Sequence, residues 1–266
     1  MENMDGVLEI SNILNNCCAY SVDDFNNKVK SDKVNKFSTF FLNIDGNATN
    51  FDQLVTKLKA YEHQFSVISL SETNIDQCNQ SMYQIDGYQS VYQSKITNKF
   101  KWSGVVMYIH ETYCFVEIPK VPYCTPNIET LCVTITNIKA PLTIGVVYRP
   151  PSGNVKTFNE EFERIISQLP NKNVYITGDF NINLHKADNN SALFEETFIS
   201  HGYRPLISHV THEMPQCEKT CIDNIFCNTF ENITCSGTIT DKLSHHLPIF
   251  SFSTIGCDPK NNMVCF

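Results

Sequence analysis

The chain has 266 residues, of which 42% are hydrophobic, so it is long enough to bury the core of one large domain. Its formal net charge of -8 argues against a protein that holds nucleic acid by bulk electrostatics, because that mode of binding needs a basic surface. Any contact with nucleic acid must therefore be local. An acidic balance suits a site in which carboxylates hold a divalent cation, although a solvated acidic surface would give the same count.

Targeting and redox features point to the inside of the cell. The first 14 residues contain no basic region followed by an apolar run, and no run of about 18 uncharged apolar residues occurs anywhere in the chain. We therefore expect neither secretion nor contact with a membrane. The 12 cysteines are then expected to be reduced thiols of an intracellular protein, in the nucleus or the cytoplasm.

The predicted elements begin after a polar, weakly patterned segment. Residues 1–35 predict a loosely structured leader with room for one short helix, residues 36–254 predict a single domain, and residues 255–266 predict a tail. Within the domain, apolar runs rich in β-branched and aromatic residues predict strands at 36–44, 66–70, 88–92, 104–109, 130–138, 142–148, 174–177, 220–227 and 247–252. Helical spacing of apolar residues predicts helices around 51–61, 158–169 and 192–199. Strands mixed with helices in this way favour an α/β fold in which helices cover two packed sheets.

Polar residues lie in or at the edge of several of these apolar runs. In chain order they are Asn43, Glu72, Tyr148, Asp179 with Asn181, Asp223, and the pair His245-His246. Each has an ordinary structural explanation when taken singly, such as a turn residue, a capping side chain or a half-buried strand aromatic. Because the ends of neighbouring strands converge in packed sheets, the whole set predicts a site at one rim of the sandwich.

Six motifs occur in an order and at a spacing that resemble one known superfamily. They are Phe41-Leu42-Asn43-Ile44, Ser71-Glu72-Thr73, Gly145 to Pro151 (GVVYRPP), Gly178-Asp179-Phe180-Asn181, Cys221 to Phe226 (CIDNIF) and Ser244 to Ile249 (SHHLPI). This set is similar to the motifs of the endonuclease/exonuclease/phosphatase superfamily, and its details resemble the apurinic-type endonuclease domain of jockey-like non-LTR retrotransposons. The resemblance covers about residues 37 to 252. It implies a four-layered α/β sandwich, with two mixed sheets flanked by helices, that hydrolyses a phosphodiester with Mg²⁺.

The resemblance also implies a role for each matching residue. Glu72 matches the main metal ligand, and Asn43 matches a residue that hydrogen-bonds near the metal and the phosphate. A hard cation prefers such oxygen ligands and can polarise a phosphoryl group.

The remaining matches belong to the chemistry of the phosphate. Asp179 is expected to orient and deprotonate the attacking water, while Asn181 and Tyr148 are expected to contact the phosphoryl oxygens. His246 is expected to stabilise the charge that builds on the phosphate, with Asp223 as the carboxylate that positions it.

One departure from the motifs concerns the metal. The superfamily usually reads Ser-Asp-His-Leu-Pro where this chain has His245 before His246, so an acidic residue beside the metal has become an imidazole. We keep His245 as a candidate ligand. Since imidazole is a poor ligand for Mg²⁺ and a better one for transition metals, Mn²⁺ is the alternative cofactor.

A second departure concerns the segment His209-Val210-Thr211-His212, which stands where His-Pro-Thr-Arg is common. Thr211 remains a candidate substrate contact, although the arginine is missing. The same segment supports an alternative in which His209, His212, Cys217 and Cys221 bind zinc, but their spacing matches no common zinc motif.

The leading hypothesis is thus a metal-dependent DNA endonuclease that nicks one strand and leaves a 3′-hydroxyl. Its expected partners are DNA and a reverse transcriptase supplied elsewhere. Two alternatives stay open. One is a catalytically impaired or domesticated relic that keeps a binding role, and the other is a phosphatase that acts on a small phosphoester.

Overall fold

The computed structural model describes residues 17–31, 36–46, 48–76, 78–93, 103–119 and 123–255. In these segments two seven-stranded mixed sheets pack face to face, and helices cover the outer face of each sheet. The predicted four-layered α/β sandwich is therefore confirmed.

The first sheet has the strand order β1-β13-β14-β2-β3-β5-β4. Its strands are β1 (Cys17–Tyr20), β2 (Phe37–Asn43), β3 (Val67–Ser71), β4 (Tyr88–Gln93), β5 (Val105–His110), β13 (Ile233–Ile239) and β14 (Ile249–Ser253). Strands β2 and β3 run parallel, with Asn43 beside Ser71. Helices α1 (Val22–Ser31) and α2 (Ala48–Ala60) pack on its outer face, where their apolar residues join one aromatic-rich cluster with β2, β3, β5 and β14.

The second sheet has the strand order β11-β12-β10-β9-β8-β6, and the short strand β7 also pairs with β8. Its strands are β6 (Phe115–Glu117), β7 (Tyr123–Cys124), β8 (Glu129–Ile135), β9 (Leu142–Tyr148), β10 (Val174–Asp179), β11 (Arg204–Pro205) and β12 (Asp223–Cys227). Strands β9 and β10 run parallel, whereas β12 runs antiparallel to β10. Helices α3 (Val155–Ile166) and α4 (Asn189–Ser200) cover its outer face.

An apolar core lies between the two sheets and holds them together. Because side chains alternate across each strand, one set from each sheet points inward and forms a single buried cluster. The same alternation brings Asn43, Tyr148 and Asp179 to the inner side at the end of their strands. The fold thus delivers polar groups to one end of an otherwise apolar interface.

Residues 17–31 differ from the predicted leader. Cys17–Tyr20 adds to the sheet as a parallel partner of β13, and Phe25 of α1 is fully buried against Phe65 and Phe250. Strand β1 has only four residues, and its partner strand lies more than 200 residues away in the sequence. It therefore leaves little periodic pattern of apolar residues, and the sequence analysis did not predict it. The packed domain includes these residues, whereas residues 1–16 and 256–266 of the predicted leader and tail lie outside the described segments.

Strand β13 was not predicted either. It contains Ser236 and Gly237, which weaken the apolar pattern of a strand. Gly237 is required by a close approach, because a Cβ at this position would lie 2.1 Å from the carbonyl oxygen of Cys18 in β1.

The cysteines and the helices of the described segments bear on the expected thiol state and on membrane spanning. Nine of the described cysteines are free thiols. No helix within the described segments is long and apolar enough to cross a membrane.

Candidate active site

The candidate site lies at the rim where β2, β3, β9 and β10 end and β12 begins. Parallel strands end at the same edge of a sheet, so Tyr148 at the end of β9 stands beside Asp179 at the end of β10. The antiparallel β12 starts at that edge, which places Asp223 on the other side of Asp179. Asn43 ends β2 in the facing sheet, and Glu72 follows β3 directly. The predicted convergence of these residues is therefore observed.

Asp179 is the centre of the rim. Its side chain is 1% exposed and accepts a hydrogen bond at 2.8 Å from Nδ2 of Asn43 across the two sheets. The backbone N–H of Asn181 donates to the other carboxylate oxygen at 2.9 Å. Asn181 adopts a left-handed backbone conformation with φ of 50°, which turns the chain back so that its amide N–H faces Asp179. The carboxylate is thus fixed by neutral donors from two directions.

His246 and Asp223 form a buried pair beside it. Nδ1 of His246 lies 2.9 Å from one oxygen of Asp223 and 3.0 Å from the other. Nε2 of the same ring lies 3.9 Å from Oδ2 of Asp179. Burial lowers the pKa of His246, but the charge and hydrogen bond of Asp223 outweigh it, so the pKa is raised and the ring is protonated at neutral pH. A protonated imidazole with one N–H on Asp223 keeps its second N–H for another group at the rim.

The rim carries more negative than positive charge. Burial raises the pKa of Asp179, and the neighbouring Asp223 and Glu72 raise it further, while His246 and Asn43 act in the opposite direction. Carboxylates this close oppose each other's ionisation, so a cation at the rim would favour the charged form of Asp179.

Glu72 is the more open of these carboxylates. Its Oε1 accepts a hydrogen bond at 2.8 Å from the Tyr148 hydroxyl, and its backbone has φ of 50°. The loop is held because the next residue, Thr73, donates its N–H to the carbonyl of Gly104. Gly104 in turn has φ of 98° and leaves no room for a Cβ, which would lie 2.8 Å from Oγ1 of Thr73. Burial and the charge of Glu72 raise the pKa of Tyr148, so its hydroxyl stays a donor at neutral pH.

His245 lies at the mouth of the site and does not join the buried cluster. Its ring is 50% exposed, and its Nδ1 lies 3.0 Å from Oδ2 of Asp45. The backbone N–H of His245 donates to the same oxygen at 3.1 Å. Sequence reasoning missed Asp45, because Asp45-Gly46 suggested an ordinary turn. Its position two residues after Asn43 was the signal that could have identified it.

Thr211 does not occupy the position expected of a substrate contact. Its side chain is fully buried, at 0% exposure, and Oγ1 accepts the backbone N–H groups of Ile222 and Asp223 at 3.1 and 3.0 Å. Its carbonyl accepts the N–H of Leu247 at 2.7 Å. This differs from the prediction of direct binding, because the buried hydroxyl accepts two backbone N–H groups and is placed to hold Asp223 next to the segment that carries His246.

Arg149 lies within the GVVYRPP motif and had no predicted role, but in the structure its side chain joins two loops. The guanidinium is 4% exposed and donates to the carbonyl oxygens of Phe180, Asn181 and Gly153 at 2.6 to 2.7 Å. The amide of Asn181 donates back to the carbonyl of Arg149 at 2.8 Å. A buried arginine clamps the loop that carries Asn181 against the end of β9.

Two groups of residues are candidates for holding a metal. Within the described segments, Asp179, Asp223 and His246 offer ligand atoms within 4.8 Å of one another. Their polar atoms already form hydrogen bonds with each other and with neutral donors. Glu72 and Asp45 are less enclosed carboxylates at the mouth, and the excess negative charge of the rim suits a divalent ion there. The donor set therefore fits such an ion at Glu72. Among the described residues, His209, His212, Cys217 and Cys221 form no metal-binding group, so the zinc alternative is not supported.

The fold is an α/β sandwich similar to that of solved proteins of the endonuclease/exonuclease/phosphatase type. A family described as Endonuclease-reverse transcriptase matches residues 142–250, which contain Tyr148, Asp179, Asp223 and His246. The predicted resemblance to this superfamily, and within it to retrotransposon endonucleases, is confirmed. A comparison with curated proteins gives no match.

Solved structures share the fold at low sequence identity. The endonuclease domain of TRAS1, a telomere-specific non-LTR retrotransposon, aligns over 84% of this chain and 100% of its own, with a TM-score of 0.69 and 14% identity. The AP endonuclease LMAP from Leishmania major covers 94% of this chain and 98% of its own, with a TM-score of 0.65 and 12% identity. The 3′ phosphatase NExo from Neisseria, bound to a product DNA hairpin, covers 81% and 98%, with a TM-score of 0.57 and 12% identity. The structural neighbours thus include both nucleases and a phosphatase.

Proposed function

We propose that the protein is a divalent-metal-dependent endonuclease that hydrolyses one strand of duplex DNA and leaves a 3′-hydroxyl. The observation that supports this most is the pairing of two unlike halves at one rim. A closed half contains Asp179, Asn43 and the His246–Asp223 pair, and an open half contains Glu72 with Tyr148. Phosphodiester hydrolysis needs both an activated water and stabilisation of the charge on the phosphate.

In this proposal Asp179 accepts the proton of the attacking water. Hydrogen bonds from Asn43 and Asn181 orient its carboxylate, so that one oxygen is presented to the water in a fixed direction. Protonated His246 donates Nε2–H to a phosphoryl oxygen as charge develops there, and Asp223 holds the ring in that orientation. The water oxygen forms the new bond to phosphorus, the bond to the 3′ oxygen breaks, and the departing oxygen takes a proton from solvent, which gives a 3′-hydroxyl and a 5′-phosphate.

The open half would hold the cofactor. Glu72 would be its main ligand, with Asn43 beside it and the Asp45–His245 pair at the mouth. The chemistry that Mg²⁺ or Mn²⁺ would supply there is polarisation of the phosphoryl group and stabilisation of the leaving oxyanion. Tyr148 donates to Glu72, which fixes the direction of that carboxylate before any ligand arrives.

The test is conversion of supercoiled plasmid to the nicked circle by the purified protein, with Mg²⁺ and with Mn²⁺. Asp179→Asn removes the base at nearly constant volume, and we expect it to lower the rate at least about 100-fold. Glu72→Gln should raise the metal concentration for half-maximal activity, because an amide holds a divalent cation poorly. Asp188→Asn, which changes a carboxylate that caps α4, is the matched control and should nick at the parental rate.

Two other substrates separate the remaining possibilities. The phosphatase alternative is supported by the likeness to the NExo fold, and it predicts release of phosphate from a 3′-phosphorylated hairpin or a small phosphoester without nicking of plasmid. Loss of all these activities in a protein that circular dichroism shows to be folded would contradict the proposed function and favour a relic with a binding role.

A further inference from the structure

Three charged side chains converge beside the mouth of the site. The carboxylate of Glu213 lies 2.6 Å from Nζ of Lys219 through one oxygen and 3.3 Å from Nζ of Lys242 through the other. The lysine side chains are 64% and 45% exposed, whereas that of Glu213 is 27% exposed. One carboxylate therefore gathers two solvent-facing ammonium groups from separate segments of the chain.

The backbone ties this triad to the segment that carries His245 and His246. The N–H of Glu213 donates to the carbonyl of His245 at 2.9 Å, and His212 forms an antiparallel bridge with His246. Lys219 immediately precedes Thr220, which bridges with His212. Lys242 lies three residues before His245 on the segment that leads into the motif. Lys242 thus lies on the segment that carries His245 and His246, and Lys219 lies on a segment that reaches His246 through the bridge at His212.

The proposed function requires a local cationic surface, because the chain carries a net charge of -8. A polyanion approaching the rim meets the excess negative charge of Asp179, Asp223 and Glu72. Only nearby cations can offset that repulsion and release counterions from the phosphates.

Resting on the proposed nuclease function, we propose that Lys219 and Lys242 form a phosphate-binding pair for the DNA backbone next to the scissile phosphate, and that Glu213 gathers this pair and competes with DNA for it. A carboxylate presents oxygens much as a phosphate does, so Glu213 occupies acceptor positions that a phosphate would otherwise use. Hydrogen bonds from Lys219 and then Lys242 lower the pKa of Glu213, so the competing charge is present at neutral pH.

The lysines are tested by the salt dependence of DNA binding. Fluorescence anisotropy with a labelled duplex, in EDTA so that no cleavage occurs, gives the slope of log Kd against log salt concentration. Each lost phosphate contact should reduce the slope by about 0.9, so Lys219→Gln with Lys242→Gln should reduce it by about 2. Lys186→Gln is the matched control, because Lys186 is 67% exposed and pairs with Asp188 elsewhere. It should leave the slope unchanged.

Glu213 is tested by a change in the opposite direction. Glu213→Gln frees both ammonium groups and should tighten DNA binding several-fold. Glu218→Gln removes the same charge from the same exposed loop, but Glu218 contacts neither lysine in the described structure. It should tighten binding much less. An equal effect of the two substitutions would show that only net charge matters and would overturn the role of Glu213.

The measurements also distinguish failure of the phosphate-binding pair from failure of the proposed nuclease function. In plasmid nicking, the double lysine variant should show a raised KM with little change in kcat, since neither lysine touches the reacting atoms. If the parent binds and nicks DNA while the lysine variants keep the parental slope and KM, the phosphate-binding pair is refuted and the nuclease stands. If the parent neither binds nor nicks DNA, both proposals fail.

Discussion

Replacement of Arg149 by lysine tests whether the buried guanidinium positions the site. Arg149 keeps its charge in this substitution but loses its shape. The native side chain donates through Nε to Phe180, through Nη2 to Asn181, and through Nη1 to Pro150 and Gly153. A lysine has three donors on a single nitrogen and cannot span this set of carbonyls.

The expected magnitude follows from the bonds that are lost. A hydrogen bond from a charged donor contributes about 1.5 to 3 kcal/mol, and at least the bonds to Phe180 and Asn181 cannot both be kept. After partial rescue by the lysine, we expect Arg149→Lys to lower the free energy of unfolding by about 3 kcal/mol. The nicking rate should fall about 10-fold in the protein that remains folded, because the loop that orients Asp179 becomes less fixed.

The assay combines urea unfolding with nicking at a temperature at which the variant is fully folded. Asn181→Ala supplies the second half of a double-mutant cycle. If Arg149 acts through this loop, Arg149→Lys should cost little further rate in the Asn181→Ala background. Arg204→Lys is the control, since the Arg204 guanidinium donates to the Tyr203 carbonyl at the surface. Equal rate losses in both backgrounds, or parental stability of Arg149→Lys, would refute the reasoning.

Three further predictions concern histidines. His246→Ala should slow nicking about 100- to 10,000-fold, and Asp223→Asn should slow it about 10- to 100-fold. The double variant should be no slower than His246→Ala. If its rate loss instead equalled the product of the two single losses, the two residues would act independently. Desolvation of the partly buried His63 lowers its pKa from 6.5 to about 4, so the stability present above pH 6.5 should fall by about 3 kcal/mol as the pH drops through that range in urea unfolding. His63→Gln should flatten this dependence, whereas His185→Gln at the surface should not. His245→Asp should increase the rise in Tm caused by Mg²⁺ more than that caused by Mn²⁺, and equal changes would argue against His245 near the metal.

Much of the sandwich was predictable because its strands are long and apolar. Strands such as β9 are buried on both faces and appear in the sequence as continuous β-branched runs. The sequence analysis missed β1 and β13, which pair with each other although more than 200 residues separate them along the chain. Non-local pairing leaves no local period, so neither composition nor spacing could reveal that Phe25 belongs to the core.

The site was predictable where a motif marks a strand end, and less so where burial decides the role. Asn43, Asp179 and Asp223 were expected together, and the structure brings them together. Thr211 is polar and close to these residues in the fold, but its hydroxyl faces two backbone amides and not the surface. The use of Arg149 depends on four carbonyl oxygens from two separate loops, and that arrangement exists only after folding.

Because the rim has a closed half and an open half, we predict that substitutions in the closed half alter the pH dependence of nicking and substitutions in the open half alter its metal dependence. In the closed half, the oxygens of Asp179 and Asp223 are occupied by neutral donors and by His246, so changes there should alter the pH dependence of nicking. In the open half, Glu72 has one hydrogen bond, from Tyr148, and the exposed His245 should influence only which cation is preferred.

Titrations of nicking against metal at several pH values distinguish the two. Variants of the open half, such as Glu72→Gln, should shift the metal concentration for half-maximal nicking. The acid limb of the curve of nicking rate against pH should stay in place. Asp223→Asn should shift that limb to lower pH, because the second carboxylate no longer raises the pKa of Asp179, and it should leave the metal titration unchanged. If either substitution moved both curves together, the two halves would not be separate, and Asp179 would have to be counted among the metal ligands.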